Sequence, residues 1–85
     1  MKIKLLFFAA LREQLGTSGE EIELLSGVGT VAGLRAHLKS RGGPYDKAFG
    51  DKTLIRIAVN QDMVQPTARI KAGDEVAFFP PVTGG

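Results

Sequence analysis

Few side chains in this sequence could carry chemistry. The 85 residues include one histidine, His37, and no cysteine. Disulfides, thiolate metal sites and a histidine-based metal cluster are therefore excluded. No carboxylate or nucleophile is spaced to work with His37, which reads as a partly solvated surface residue. Gly27-Val28-Gly29-Thr30-Val31-Ala32 fits G-x-G-x-x-A. A dinucleotide site needs a larger doubly wound sheet around that motif. In a chain this short the glycines read as a turn ahead of a helix. What is left is the main-chain end. An apolar run, Val76 to Phe79, meets Pro80-Pro81, and Val82, Thr83, Gly84 and Gly85 follow. A carboxylate is a poor electrophile. A separate enzyme can convert it with ATP into an acyl-adenylate, whose carbonyl then accepts sulfur or an amine. Terminal glycines leave that carbonyl unhindered and thin enough to enter a channel closed to other residues.

Such an end needs a stiff root. Pro80 and Pro81 cannot donate ladder hydrogen bonds, so a sheet must stop there. Their rings hold the chain extended and remove unfolded-state freedom. Fixing each tail residue costs on the order of 1–2 kcal/mol, and the prolines lower that cost.

The rest of the chain must form the body. Along residues 2–8, Ile3, Leu5 and Phe7 alternate with Lys2, Lys4, Leu6 and Phe8, a strand whose second face turns apolar toward its end. Residues 9–15 predict a short helix, with Phe8, Leu11 and Leu15 on one face and Gly16 at the C′ position. Residues 20–25 predict a strand with Ile22 and Leu24 inward. Thr30 is the expected N-cap of a helix over 31–41. Its stripe is Val31, Leu34 and Leu38, and Arg35 and Lys39 face out. Gly33 costs that helix roughly 1 kcal/mol, which suggests either close packing against the sheet or simply a weak helix. Residues 42–53 read as a polar, glycine-containing loop tacked down by Tyr45 and Phe49. A third strand spans 54–59, with Ile55, Ile57 and Val59 on its inner face. A turn at 60–62 leads to a short extended piece at 63–65, and the last strand is 75–79. Arg35, Lys39, Arg41, Lys47 and Lys52 read as a solvated basic face, the alternative being a face that docks an acidic partner surface.

One amphipathic helix against a four- or five-stranded sheet buries these faces economically. The first and last strands are the most apolar and belong at the centre, parallel to one another. That is an α+β, β-grasp (ubiquitin-like) fold: a mixed sheet on one main helix, with the domain over 1–79 and an extended tail over 80–85. Leu6, Phe8, Ala77 and Phe79 share a parity opposite to the core residues. Phe8 and Phe79 should meet on an uncovered face, with Met63 as a further exposed apolar residue. Contiguous apolar area of that kind marks a protein interface; the alternative is that the short helix covers it.

Composition narrows the classes further. Eleven basic and nine acidic residues give +2, too weak and too mixed for nucleic acid. The apolar run from Leu5 to Leu11 is followed by Arg12-Glu13 rather than a cleavage site. Nothing reaches the ~20 apolar residues of a membrane span. A cytoplasmic protein is expected.

The stretches KIKLLFFAALREQLGT, TVAGLRAHL, IRIAVNQDMV and AGDEVAFFPPVTGG together resemble the MoaD-type sulfur carriers, the small subunits of molybdopterin synthase. The resemblance covers nearly the whole chain. D-E-V-A-F-F-P-P followed by V-x-G-G is its most specific part. It implies that an E1-like adenylyltransferase uses ATP to adenylate Gly85, and that a sulfurtransferase system leaves a thiocarboxylate there. The tail, Pro80 to Gly85, would then enter the large synthase subunit and give its sulfur to cyclic pyranopterin monophosphate. In this family two small and two large subunits form a heterotetramer. Phe8, Met63 and Phe79 match its apolar contact positions. No cofactor or metal is expected on this chain, and the catalytic side chains would belong to the large subunit. The tail chemistry equally suits a carrier for thiamine or tRNA thiolation, or a ubiquitin-like protein modifier. A plain interaction domain is the remaining reading.

Overall fold

The computed structural model describes residues 1–25 and 27–81. Five strands and three helices follow one another as β1 (Lys2–Phe7), α1 (Ala9–Leu15), β2 (Gly19–Glu23), α2 (Val31–Lys39), α3 (Pro44–Ala48), β3 (Arg56–Val59), β4 (Asp62–Met63) and β5 (Glu75–Phe79). The strands make one sheet in the order β2-β1-β5-β3-β4. β1 and β5 lie side by side and run parallel, with Leu5 opposite Val76 and Phe7 opposite Phe78. Every other pairing is antiparallel. This is the mixed β-grasp sheet that the alternation in the two end strands predicts.

Period-two alternation decides what is buried. Ile3, Leu5 and Phe7 of β1 and Val76 and Phe78 of β5 are buried on one sheet face. Val31, Leu34 and Leu38 of α2 cover them. Burying each such side chain contributes about 1.5–3 kcal/mol. The start of α2 is well specified. Thr30 has extended backbone and its Oγ1 accepts the Gly33 N–H at 3.1 Å. That satisfies a helix-end donor and accounts for Gly29-Thr30 as a capped turn, not a nucleotide loop.

Gly33 does not sit tight against the sheet. A Cβ there would meet Thr30 Oγ1 at 3.4 Å and Val28 Cγ1 at 3.6 Å, ordinary contact distances. The glycine is thus a weak helix residue and nothing more. Gly33→Ala should stabilise the domain by about 0.5–1 kcal/mol, read as a raised urea midpoint at constant slope. A lowered midpoint would show that the site has no room.

The segment 42–53 differs most from its expected form. It holds α3, begun by Pro44 at the first helical position, where a proline's missing N–H costs nothing. Phe49, just after α3, is fully buried rather than tacked on, and Ala48 beside it is buried as well. Phe49 packs edge-on to Phe78 at 5.1 Å and lies 6.1 Å from Phe7. Arg35 is not a solvated residue either. Its Nε donates to the Phe49 carbonyl at 3.1 Å, and Nη2 donates to the Gly50 and Thr53 carbonyls at 2.5 and 2.6 Å. One guanidinium thereby fastens the whole α3–β3 connection to α2. Arg41 lies beyond α2, which ends two residues earlier than expected. It pairs with Glu20 and stacks on Tyr45 at 5.0 Å. Burial works against its charge, but Glu20 and Tyr45 outweigh that and raise its pKa above the ordinary value.

Candidate functional site

Strand register lays out the sheet face away from α2 as a series of rows. At one end Lys4 lies opposite Glu21 and Glu75, and Lys2 opposite Glu23. The next row on this face is apolar, Leu6–Ala77–Ala58–Met63, running across β1, β5, β3 and β4. Beyond it Phe79 faces Arg56, and Phe8 continues the line of β1. Pro80 and Pro81 follow directly, both partly buried.

The sequence places Phe8 beside Phe79 with Met63 as a further exposed apolar residue, and in the structure Phe8 and Phe79 meet while Met63 lies two strands from β5 on the same face. The rings of Phe8 and Phe79 meet edge to face with centroids 6.3 Å apart. Phe8 is 45% exposed and Met63 53%, so α1 leaves both open. Phe8 does not share a face with Leu11 and Leu15, as helical spacing suggested. It has extended backbone, and its N–H donates to the Phe78 carbonyl at 3.1 Å, which keeps it on the strand's side-chain alternation. Leu11 instead turns into the core. Pro80 and Pro81 are described. Val82, Thr83, Gly84 and Gly85 lie outside the described residues.

One supporting cluster was not identified from the sequence. Asn60 and Gln61 both have left-handed backbone, φ 51° and 73°, in the tight turn from β3 to β4. Asn tolerates that conformation better than most residues. Asn60 Nδ2 donates to Asp74 Oδ1 at 2.9 Å, and Asn60 Oδ1 accepts the Glu75 N–H at 3.0 Å. Asp74 is almost fully buried, and its Oδ2 accepts the Lys71 N–H at 2.8 Å. The network ties the β3–β4 hairpin to the start of β5 and so fixes Met63 relative to Phe79. The pairing of V-N-Q with G-D-E was the available signal: a turn asparagine and a turn aspartate, each flanked by an apolar strand.

Among the described residues, nothing on this face resembles a catalytic constellation; what it offers is an exposed apolar surface beside the strand that leads to Pro80-Pro81. SAMP1 from Haloferax volcanii superposes with a TM-score of 0.79 at 28% identity, over 100% of both chains. A Pyrococcus furiosus protein provisionally named molybdopterin converting factor subunit 1 superposes with a TM-score of 0.79 at 33% identity, over 96% of this chain and 99% of that one. The molybdopterin synthase sulfur carrier subunit of Escherichia coli (strain K12) is 45% identical over 83 residues, 98% of this chain and 99% of that protein. The model of the ThiS family matches residues 5–85, and the chain belongs to that family.

Proposed function

We propose that this chain is the sulfur carrier subunit of a molybdopterin synthase. The observation that carries the reading is the full-length likeness to the Escherichia coli carrier subunit, joined to an exposed aromatic pair at the root of the tail. In this reading the Gly85 carboxylate attacks the α-phosphorus of ATP in an E1-like adenylyltransferase, and pyrophosphate leaves. The terminal sulfur of a sulfurtransferase persulfide then attacks the acyl-adenylate carbonyl and displaces AMP, and a thiol cleaves the resulting acyl disulfide, leaving a new disulfide and a C-terminal thiocarboxylate. That group is ionised at neutral pH, and its soft sulfur is a strong nucleophile. The body docks on the large subunit through Phe8, Met63 and Phe79. The tail reaches the large subunit's active site, where the sulfur passes to cyclic pyranopterin monophosphate. The carrier contributes no acid, base or cofactor of its own. Its place of work is the cytoplasm, and its assembly is a heterotetramer with two large subunits.

Intact mass measurement tests the covalent step. Incubation with the activating enzyme, ATP and a sulfur source should add the mass difference between sulfur and oxygen. Unchanged mass under conditions that charge a known carrier would end the reading. The likeness to SAMP1 favours one second reading, a protein modifier joined to lysines through Gly85. Ladders of lysine conjugates in cells would select it.

Docking has its own test. Phe79 is only partly buried and lies on the open face, so Phe79→Asp should leave the thermal transition nearly in place. It should weaken binding to the large subunit by about 30- to 1000-fold, the range for a central aromatic anchor. An unfolded variant would place Phe79 in the core instead.

A further inference from the structure

A hollow of about 400 Å³ opens beside Met63. Arg35 and Arg56 line it together with Ile55, Met63, Val64 and Gln65, and no acidic residue among the described ones does. The neighbouring cleft of about 700 Å³ behaves differently: Arg35 and Lys39 there are balanced by Asp46 and Asp51. At the far end of the open sheet face, Lys2 and Lys4 likewise stand opposite glutamates. Among the described residues that line this hollow, Arg56 has no carboxylate beside it.

The two cations have different duties. Arg35 spends Nε and Nη2 on the carbonyls of Phe49, Gly50 and Thr53. Those bonds hold the guanidinium in place, and no hydrogen bond to a described residue occupies its Nη1. Arg56 is exposed and makes no ion pair among the described residues. It lies opposite Phe79 in the sheet, next to the tail root. The hollow thus adjoins the aromatic pair through Arg56, which lies opposite Phe79.

We propose that this hollow receives an acidic side chain, Asp or Glu, from the protein surface that covers Phe8, Phe79 and Met63. This rests on the functional reading above, with the large synthase subunit as that protein. A carboxylate entering it would meet the exposed Arg56, which makes no ion pair among the described residues, as a charge-assisted donor, with Arg35 also lining the hollow. The aromatic face supplies buried area, which is tolerant of wrong partners. A matched charge beside it makes the docking selective and speeds encounter, because like-charged surfaces are rejected.

The test uses the full-length chain and the large subunit of the same synthase, with association rate and Kd measured at low and high salt. Arg56→Leu keeps the apolar bulk and removes the charge. Its association rate should fall by about 3- to 10-fold at low salt, with the salt dependence flattened. Arg56→Glu should bind about 100-fold more weakly at low salt and recover as salt rises, because screening then relieves a repulsion. Arg56 is exposed, so circular dichroism of both variants should match the unaltered protein. If Arg56→Glu binds within twofold of the unaltered protein at low salt, or weakens further as salt rises, the inference is overturned and the functional reading stands. If the unaltered protein itself does not bind the large subunit, both fall.

Discussion

Deleting Gly85 should abolish thiocarboxylate formation and pterin sulfuration, with no change in the melting of the body. One extended residue spans about 3.3–3.6 Å, so the shortened chain holds its carbonyl that far from the nucleotide. Near-attack geometry is unforgiving: a misplacement of about 1 Å can cost about 100-fold. The expected outcome is therefore loss below detection, not partial activity. Intact mass after incubation with activating enzyme, ATP and sulfur source reads the first step, and product formation with the large subunit reads the second. Normal turnover by the deletion variant would show that the main-chain end is not the reactive group.

The second large effect concerns the body. Phe49→Ala should cost about 3–5 kcal/mol, the usual loss for a buried phenylalanine. Phe49 is fully buried among Phe7, Phe78 and Tyr45, with centroids 5.1 to 6.2 Å away. Truncation removes transfer energy and leaves a void that these rings cannot all close. For a domain of this size total stability is on the order of 4–13 kcal/mol, so the variant should be near its threshold at 25 °C. Denaturant unfolding with an unchanged slope measures it. A loss under about 1 kcal/mol would mean that the 42–53 segment is an ornament on the fold and not part of its core.

That segment shows what sequence reasoning can and cannot see. The strands were legible because alternation in KIKLLFF and EVAFF reports directly which side of a sheet is buried, and both strands are long enough to repeat the signal. The same parity located the Phe8–Phe79 pair. α3 was missed because it is barely more than one turn and follows Gly42-Gly43, a loop signature by composition. Its clues were Pro44 at the first helical position and Tyr45, Ala48 and Phe49 at helical spacing. Arg35 was missed for a different reason. Its partners are backbone carbonyls, and carbonyls have no identity in a sequence. The uncompensated charge around Arg56 was equally invisible, since it depends on which cations find carboxylates in three dimensions. Resemblance supplied the chemistry of Gly85; pattern alone stopped at a reactive end on a stiff root.

The parallel pairing of β1 with β5 has a consequence for quality control. Leu5 and Val76 are adjacent in the sheet, so nearly the entire polypeptide is enclosed by a single loop closure, the slow kind of contact to make. Phe8 comes from one side of that closure and Phe79 from the other. A misfolded or proteolytically nicked molecule that has lost it cannot display the aromatic pair at all, even though its last residues are chemically intact. A partner that grips the pair would therefore read whether the closure between β1 and β5 has formed.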